Sequence, residues 1–200
     1  NPVDLNSLLY GLEKTMEKFA GILSNGETAL WSGRAARRKE KMFEIMFDNK
    51  RGIFLDWNYK EERFSPVVSA ASLYPLFIGL ADTPEKAVEV LKNELLLKYG
   101  VSACAAGKYD YSLQWDYPNV WAPLQYIAYV ACKNYGYDDL AKKVAETYIK
   151  LLDENFAQTG NLWEKYDGLT GKVANADYNA PKMMGWTAGV YMYFCAVLNK

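Results

Sequence analysis

Apolar residues recur at helical spacing from the first turn of the chain onward: Val3, Leu5, Leu8, Leu9, Leu12, Met16, Phe19 and Leu23 follow a 3.6-residue period. Residues 27–47 repeat that pattern behind a charged RRKEK run, so two antiparallel helices are expected. Within the run, Glu40 and Glu44 are interleaved with the basic residues, which reads as a solvated helix face with i,i+4 pairing and no functional role. After Gly52 the stretch GIFLDWNYKEERF alternates apolar and polar positions, predicting a short extended excursion between helices.

The middle of the chain reads as an internal repeat. LYPLFIGLADTPEKAVEVLKNELL matches WAPLQYIAYVACKNYGYDDLAKKVAETYIKLL, with Pro75 against Pro123. Each copy is an apolar helix followed by an amphipathic one; in the second copy Leu140, Val144, Tyr148 and Leu152 form one stripe with lysines and acids opposite. A helix that is apolar nearly all round belongs inside, and its amphipathic partner covers it. A last apolar helix over residues 185–198 is the inner member of a further pair. The expected architecture is therefore all-α, with about seven helices stacked as an arc of a toroid and residues 1–200 forming one unit. Loops entering the inner helices gather at one end of such an arc. This places Trp115, Asp116, Trp121, Trp163, Glu164 and Trp186 around one pocket.

Composition narrows the chemistry. Half of the 200 residues are apolar and the net charge is -1 with interspersed signs, so neither nucleic acid nor a membrane surface is an expected partner. No apolar run approaches the roughly 18 residues of a spanning helix. The chain contains no histidine, which removes Ser-His-Asp and Cys-His catalysis and His-ligated zinc, and leaves acid–base work to Asp, Glu, Tyr or Lys. Six tryptophans and sixteen tyrosines beside amides and carboxylates suit a sugar-binding cleft. Cys104, Cys132 and Cys195 are widely spaced in apolar surroundings and read as buried thiols of a reducing compartment, here the cytoplasm. The opening NPVDLN has no methionine and no signal-like segment.

The candidate site residues admit two readings each. Glu164, between Trp163 and Tyr166, is either a surface glutamate paired with a lysine or a catalytic carboxylate. Asp116 is a turn or capping residue, a sugar contact, or both. Trp115 and Trp121 are ligand surfaces or core anchors, with at least one expected to be an anchor. Asp4 and Asn6 are expected to cap the first helix, and Met183 and Met184 to fill core.

Several stretches together carry a family resemblance. QWDYPNVWAPLQ resembles the Q-W-D-x-P-N-G-W-A-P signature of family 37 trehalases; PVDLNSLLYGLE, NLWEKYD and ADYNAPKMMGWTAGV resemble further segments of that family, in order along the chain. More loosely, the chain is similar to the inverting α-glucosidases that include glucosylglycerate and mannosylglycerate hydrolases. The resemblance implies an (α/α)6 barrel, of which this chain holds about half of the roughly twelve helices. It also implies an inverting hydrolase of an α-glucosidic bond, most simply trehalose to glucose, needing no cofactor and no metal. Carried over to this sequence, Glu164 is the general base, and Gln114, Trp115, Asp116, Asn119, Trp121, Asp177 and Trp186 contact the sugar.

Three departures qualify that picture. Val120 stands where the family has glycine and is expected to stiffen the loop and either crowd the cleft or alter its backbone turn. Asp177 replaces a glutamate, in a stretch lacking the family's glycine-rich lid. The family's general acid falls before Asn1, so the chain alone is expected to be inactive, and to need the N-terminal portion of the barrel or self-association to cover its ends. The competing readings are another α-glucoside hydrolase, or a non-catalytic helical-repeat module that binds a carbohydrate or a protein.

Overall fold

The computed structural model describes residues 1–107, 113–175, 178–182 and 185–199. Among them are seven α-helices: α1 (Val3–Leu23), α2 (Thr28–Ile45), α3 (Tyr74–Phe77), α4 (Glu85–Val90), α5 (Ala122–Asn134), α6 (Asp138–Thr159) and α7 (Gly185–Val197). Helices α1, α3, α5 and α7 lie side by side in that order, while α2 packs on α1, and α6 on α5 and α7. This is the inner and outer layering expected from the repeat. One continuous core runs from Val3 to Phe194, through Leu76, Leu91, Ala128, Tyr148 and Leu152.

The two repeat copies differ in how far their inner helix extends. Both carry proline in the first helical turn, where its missing N–H costs nothing. α5 continues for 13 residues. Its counterpart is a 3-10 turn over Ala70–Leu73 followed by the single turn of α3, because Gly79 turns left-handed at φ 67° and the Leu80 and Ala81 N–H groups fold back onto the Pro75 carbonyl. The expected long apolar helix in the first copy is thus replaced by two short turns.

The excursion after α2 is built of two small antiparallel ladders, β1 (Phe47–Asp48) with β2 (Ile53–Phe54), and β3 (Trp57–Asn58) with β4 (Arg63–Phe64). It supplies the cap for α1. Pro2 occupies the capping position without an acceptor side chain, and the first helical N–H, that of Val3, donates instead to Asp56 Oδ1 at 2.8 Å. Among the described residues Asp4 accepts only from its neighbour Leu5, and Asn6 accepts from Arg38, so neither is the helix cap the sequence suggested. Arg38 also forms a two-pronged pair with Glu13, at 2.9 and 2.8 Å, and this pair ties α2 to α1. One member of the RRKEK run therefore binds the two helices together rather than facing solvent.

Two further ladders carry the chain to the site: β5 (Leu96–Leu97) with β6 (Gly100–Val101), and β7 (Asn119–Trp121) with β8 (Lys165–Asp167). The side chain of Gln125 on α5 stitches them, accepting from Val101 N–H at 2.7 Å and donating to the Val101 and Trp121 carbonyls at 2.8 and 2.9 Å. Its buried amide is fully used by backbone partners, which is the condition for a polar group to sit in a core without penalty.

Burial pushes the Cys132 thiol and the Tyr166 phenol each up to about 12. Both folded values lie above the unfolded ones, about 8.5 and 10. The stability tied to these groups is thus complete at neutral pH and is lost as pH rises toward 12. The urea unfolding midpoint, followed by tryptophan fluorescence, is expected to hold steady to about pH 8 and then fall progressively to pH 11.

Candidate active site

The motif at residues 114–121 folds as a tight turn feeding β7. Leu113 N–H donates to Asp116 Oδ2 at 2.8 Å, and Asp116 N–H returns to the Leu113 carbonyl at 3.0 Å. Asn119 N–H reaches the Asp116 carbonyl at 2.9 Å, and its side-chain amide donates to the Leu113 carbonyl at 3.3 Å. The Tyr117–Pro118 peptide is cis. Asp116 and Asn119 therefore hold the turn from within, the structural role expected of Asp116.

Strand alternation sorts the next three residues. Asn119 and Trp121 face one side of β7 and Val120 the other. Val120 is fully buried against Gly100 and Gly168: a Cβ added to either glycine would lie 2.8 or 2.9 Å from a Val120 methyl. The valine fills the space those glycines leave, and it turns away from the face that carries Trp121.

On that face three tryptophans meet. Trp115 stacks on Trp121 with centroids 4.2 Å apart and planes 9° from parallel, while Trp186 meets Trp121 edge-on at 5.7 Å. Trp121 is 1 % exposed and its indole N–H donates to the Gln114 carbonyl at 2.9 Å. It is the anchor. Trp115 and Trp186 retain 44 % and 36 % of their surface and present the ring faces a ligand could reach.

The β7–β8 register brings the second motif alongside the first. Trp121 opposes Lys165, Val120 opposes Tyr166, and Asn119 opposes Asp167. Glu164, one residue before β8, is thereby set at the rim of the tryptophan cluster. Its backbone N–H donates to the Pro181 carbonyl at 3.1 Å, and the Tyr178 hydroxyl donates to its Oε2. The same hydroxyl lies 3.4 Å from Gln114 Oε1, so one phenol touches a polar group from each motif. Oε1 of Glu164 has no hydrogen-bond partner among the described residues. A carboxylate with one oxygen anchored and the other open is suited to accept a proton from water.

The flanks of Glu164 are fixed as well. Trp163 N–H donates to the Tyr166 hydroxyl at 2.9 Å, its indole N–H to Thr159 at 3.1 Å, and its carbonyl accepts from Thr187 of α7 at 2.9 Å. Lys165 is fully buried, with Nζ 4.1 Å from the Tyr178 ring centroid and 5.8 Å from that of Trp121.

Of the residues singled out from sequence, Gln114, Trp115, Trp121, Glu164 and Trp186 gather at one rim, and Asp116 and Asn119 support it from within the turn. Asp177, Met183 and Met184 lie outside the described residues. Sequence reasoning missed Tyr178 and Lys165. The first stands inside the quoted ADYNAPK stretch and the second directly after Glu164, but a tyrosine or lysine in such a position has no spacing rule that marks it. Among the described residues no group of three or more Cys, Asp or Glu could hold a metal ion, and no helix is long and apolar enough to cross a membrane.

The family model described as Trehalase matches residues 1–199. Neutral trehalase Nth1 from Saccharomyces cerevisiae is similar over 99% of this chain and 38% of its own length, at 28% identity and a TM-score of 0.80. A family 63 mannosylglycerate hydrolase from Thermus thermophilus, in complex with glucose, covers 98% of this chain and 45% of its own, at 17% identity and a TM-score of 0.75. An uncharacterized conserved protein from the same organism matches over 98% and 48%, at 17% identity and a TM-score of 0.75. The last two share the fold. The chain spans less than half the length of each of these three structures.

Proposed function

Because the chain belongs to the trehalase family, we propose that it is the base-bearing part of an inverting α-glucoside hydrolase, with trehalose as substrate and Glu164 as general base. The observation that carries this reading is the β7–β8 ladder, which sets Glu164 beside the tryptophan cluster and links it to Gln114 through one tyrosine hydroxyl. In the reaction, Glu164 Oε1 takes a proton from water as the water oxygen bonds to C1 of one glucose from the face opposite the glycosidic oxygen. The C1–O bond breaks, and the departing oxygen receives its proton from a carboxylic acid. That acid is assigned to the portion of the protein outside these 200 residues. Trp115 and Trp186 stack against the sugar, while Gln114 hydrogen-bonds its hydroxyls.

The same reading accounts for the two flanks of the arc. On α1, Leu8, Leu12, Phe19 and Ile22 are exposed, and on α7 so are Met192 and Val197. Beside the α1 flank a cavity of about 490 Å³ opens between α1 and α2, lined by Arg34, Arg37, Arg38 and Met42 among others. These surfaces suit the remaining helices of a double ring, each half-exposed side chain contributing about 1 kcal/mol when covered. The unbroken core from Val3 to Phe194 supports treating residues 1–200 as one portion of a single catalytic domain. A cytoplasmic location fits the three free thiols, Cys104, Cys132 and Cys195.

The reaction class has a direct test in the full-length protein. Inversion at one centre of α,α-trehalose releases one β-glucose and one α-glucose per turnover, so proton NMR in the first minutes is expected to show the two anomers in equal amounts before mutarotation shifts them. Initial release of α-glucose alone would mean retention and would remove Glu164 from the role of base.

A further inference from the structure

We propose that Tyr178 is a positioning residue for Glu164, and that the buried cation of Lys165 holds the tyrosine in place; this rests on Glu164 being the base. Three observations converge. The Tyr178 hydroxyl donates to Glu164 Oε2, leaving Oε1 open among the described residues. The Lys165 ammonium, in a fully buried side chain, sits over the face of the same ring at 4.1 Å. Lys165 is in turn locked by strand register opposite Trp121, whose ring its ammonium approaches to 5.8 Å.

The chemistry follows from these contacts. A glutamate carboxylate can rotate about the three single bonds of its side chain, and only some orientations aim a lone pair at a water poised over C1. A charge-assisted hydrogen bond to one oxygen removes that freedom. A cation over the ring face restrains the tyrosine plane and draws electron density from the phenol, which strengthens its O–H as a donor. Lys165 thus reaches Glu164 through Tyr178. A tyrosine serving only as a wall of the site would need neither the hydroxyl contact nor the cation.

The test is a double-mutant cycle on trehalose hydrolysis by the full-length enzyme. Tyr178→Phe keeps the ring and its cation contact and deletes only the hydroxyl. It is expected to lower kcat by about 10- to 100-fold, the worth of one hydrogen bond to a charged group, with KM changed less than about threefold. In a Glu164→Asp background the carboxylate is withdrawn by one methylene from the hydroxyl, and there the same substitution is expected to cost less than about threefold. Lys165→Met, which keeps an unbranched side chain one atom shorter and removes the charge, is expected to lower kcat, as Tyr178→Phe does. Equal losses from Tyr178→Phe in both backgrounds, or a rise in KM at unchanged kcat, mark Tyr178 as a structural wall and overturn the inference. Parental kcat in Tyr178→Phe overturns it too. Each of those results leaves Glu164 as base untouched, because that assignment fails on different outcomes: a Glu164→Gln variant that stays active, or initial release of α-glucose alone.

Discussion

In the full-length enzyme, Glu164→Gln is expected to lower kcat on trehalose by about 10³-fold or more, while the dissociation constant for the sugar moves by less than about threefold. Glutamine has nearly the same volume as glutamate, and its amide oxygen still accepts from the Tyr178 hydroxyl. The anchoring of the loop by Pro181, Thr159 and Thr187 runs through the Glu164 backbone and through Trp163, so it is unaffected. What disappears is the lone pair that takes a proton from water. With no histidine among these 200 residues, no imidazole of this portion can assume that task. Binding depends on ring faces and amides, of which Trp115, Trp186 and Gln114 are unchanged, so calorimetry with trehalose separates the two effects. Turnover within about tenfold of the parent would show that another group activates the water.

How far this site could be read from sequence depends on the kind of signal each residue leaves. Helical periodicity is strong over long amphipathic stretches, and α1, α2, α5, α6 and α7 lie where it predicts them. It fails at α3, because one glycine adopting positive φ ends a helix whose apolar pattern runs on through Leu80. The gathering of tryptophan-rich loops was legible from the repeat, but the device that joins them was not. A three-residue ladder between β7 and β8 is too short to leave an alternation pattern. Val120 shows the limit of comparing residue types one by one. A valine in a glycine position suggests crowding of the cleft, yet strand alternation turns it to the other side, where Gly100 and Gly168 leave room for it. Likewise Asp56, far from α1 in sequence, caps that helix, and only the folded excursion brings it there. Tyr178 and Lys165 were invisible for a related reason: their importance lies in which groups they touch, and those contacts cross from β8 to the loop before α7.

Trp121→Ala is expected to be the most disruptive single change within the site, costing about 3 to 5 kcal/mol of stability. The ring is buried, supports Trp115 on one face and Trp186 at its edge, and uses its N–H to satisfy the Gln114 carbonyl. It also stands at the junction of β7 and α5, opposite Lys165, so the hole opens where the two motifs are joined. Trp115→Ala removes a ring of the same size from the outside of the same stack. There the loss is expected to be below about 1 kcal/mol, because nearly half of that side chain already faces water. Urea unfolding separates the pair, and sugar titration separates them again in a different way. Trp115→Ala keeps the fold and loses a stacking face, whereas Trp121→Ala loses affinity through the collapse of the platform beneath that face. A conservative third variant distinguishes packing from hydrogen bonding: Trp121→Phe retains most of the stacked surface but leaves the Gln114 carbonyl unpaired, and it is expected to cost about 1 to 3 kcal/mol. If Trp115→Ala proves as destabilising as Trp121→Ala, the outer ring is core rather than ligand surface, and the face that receives the sugar must be sought on Trp186.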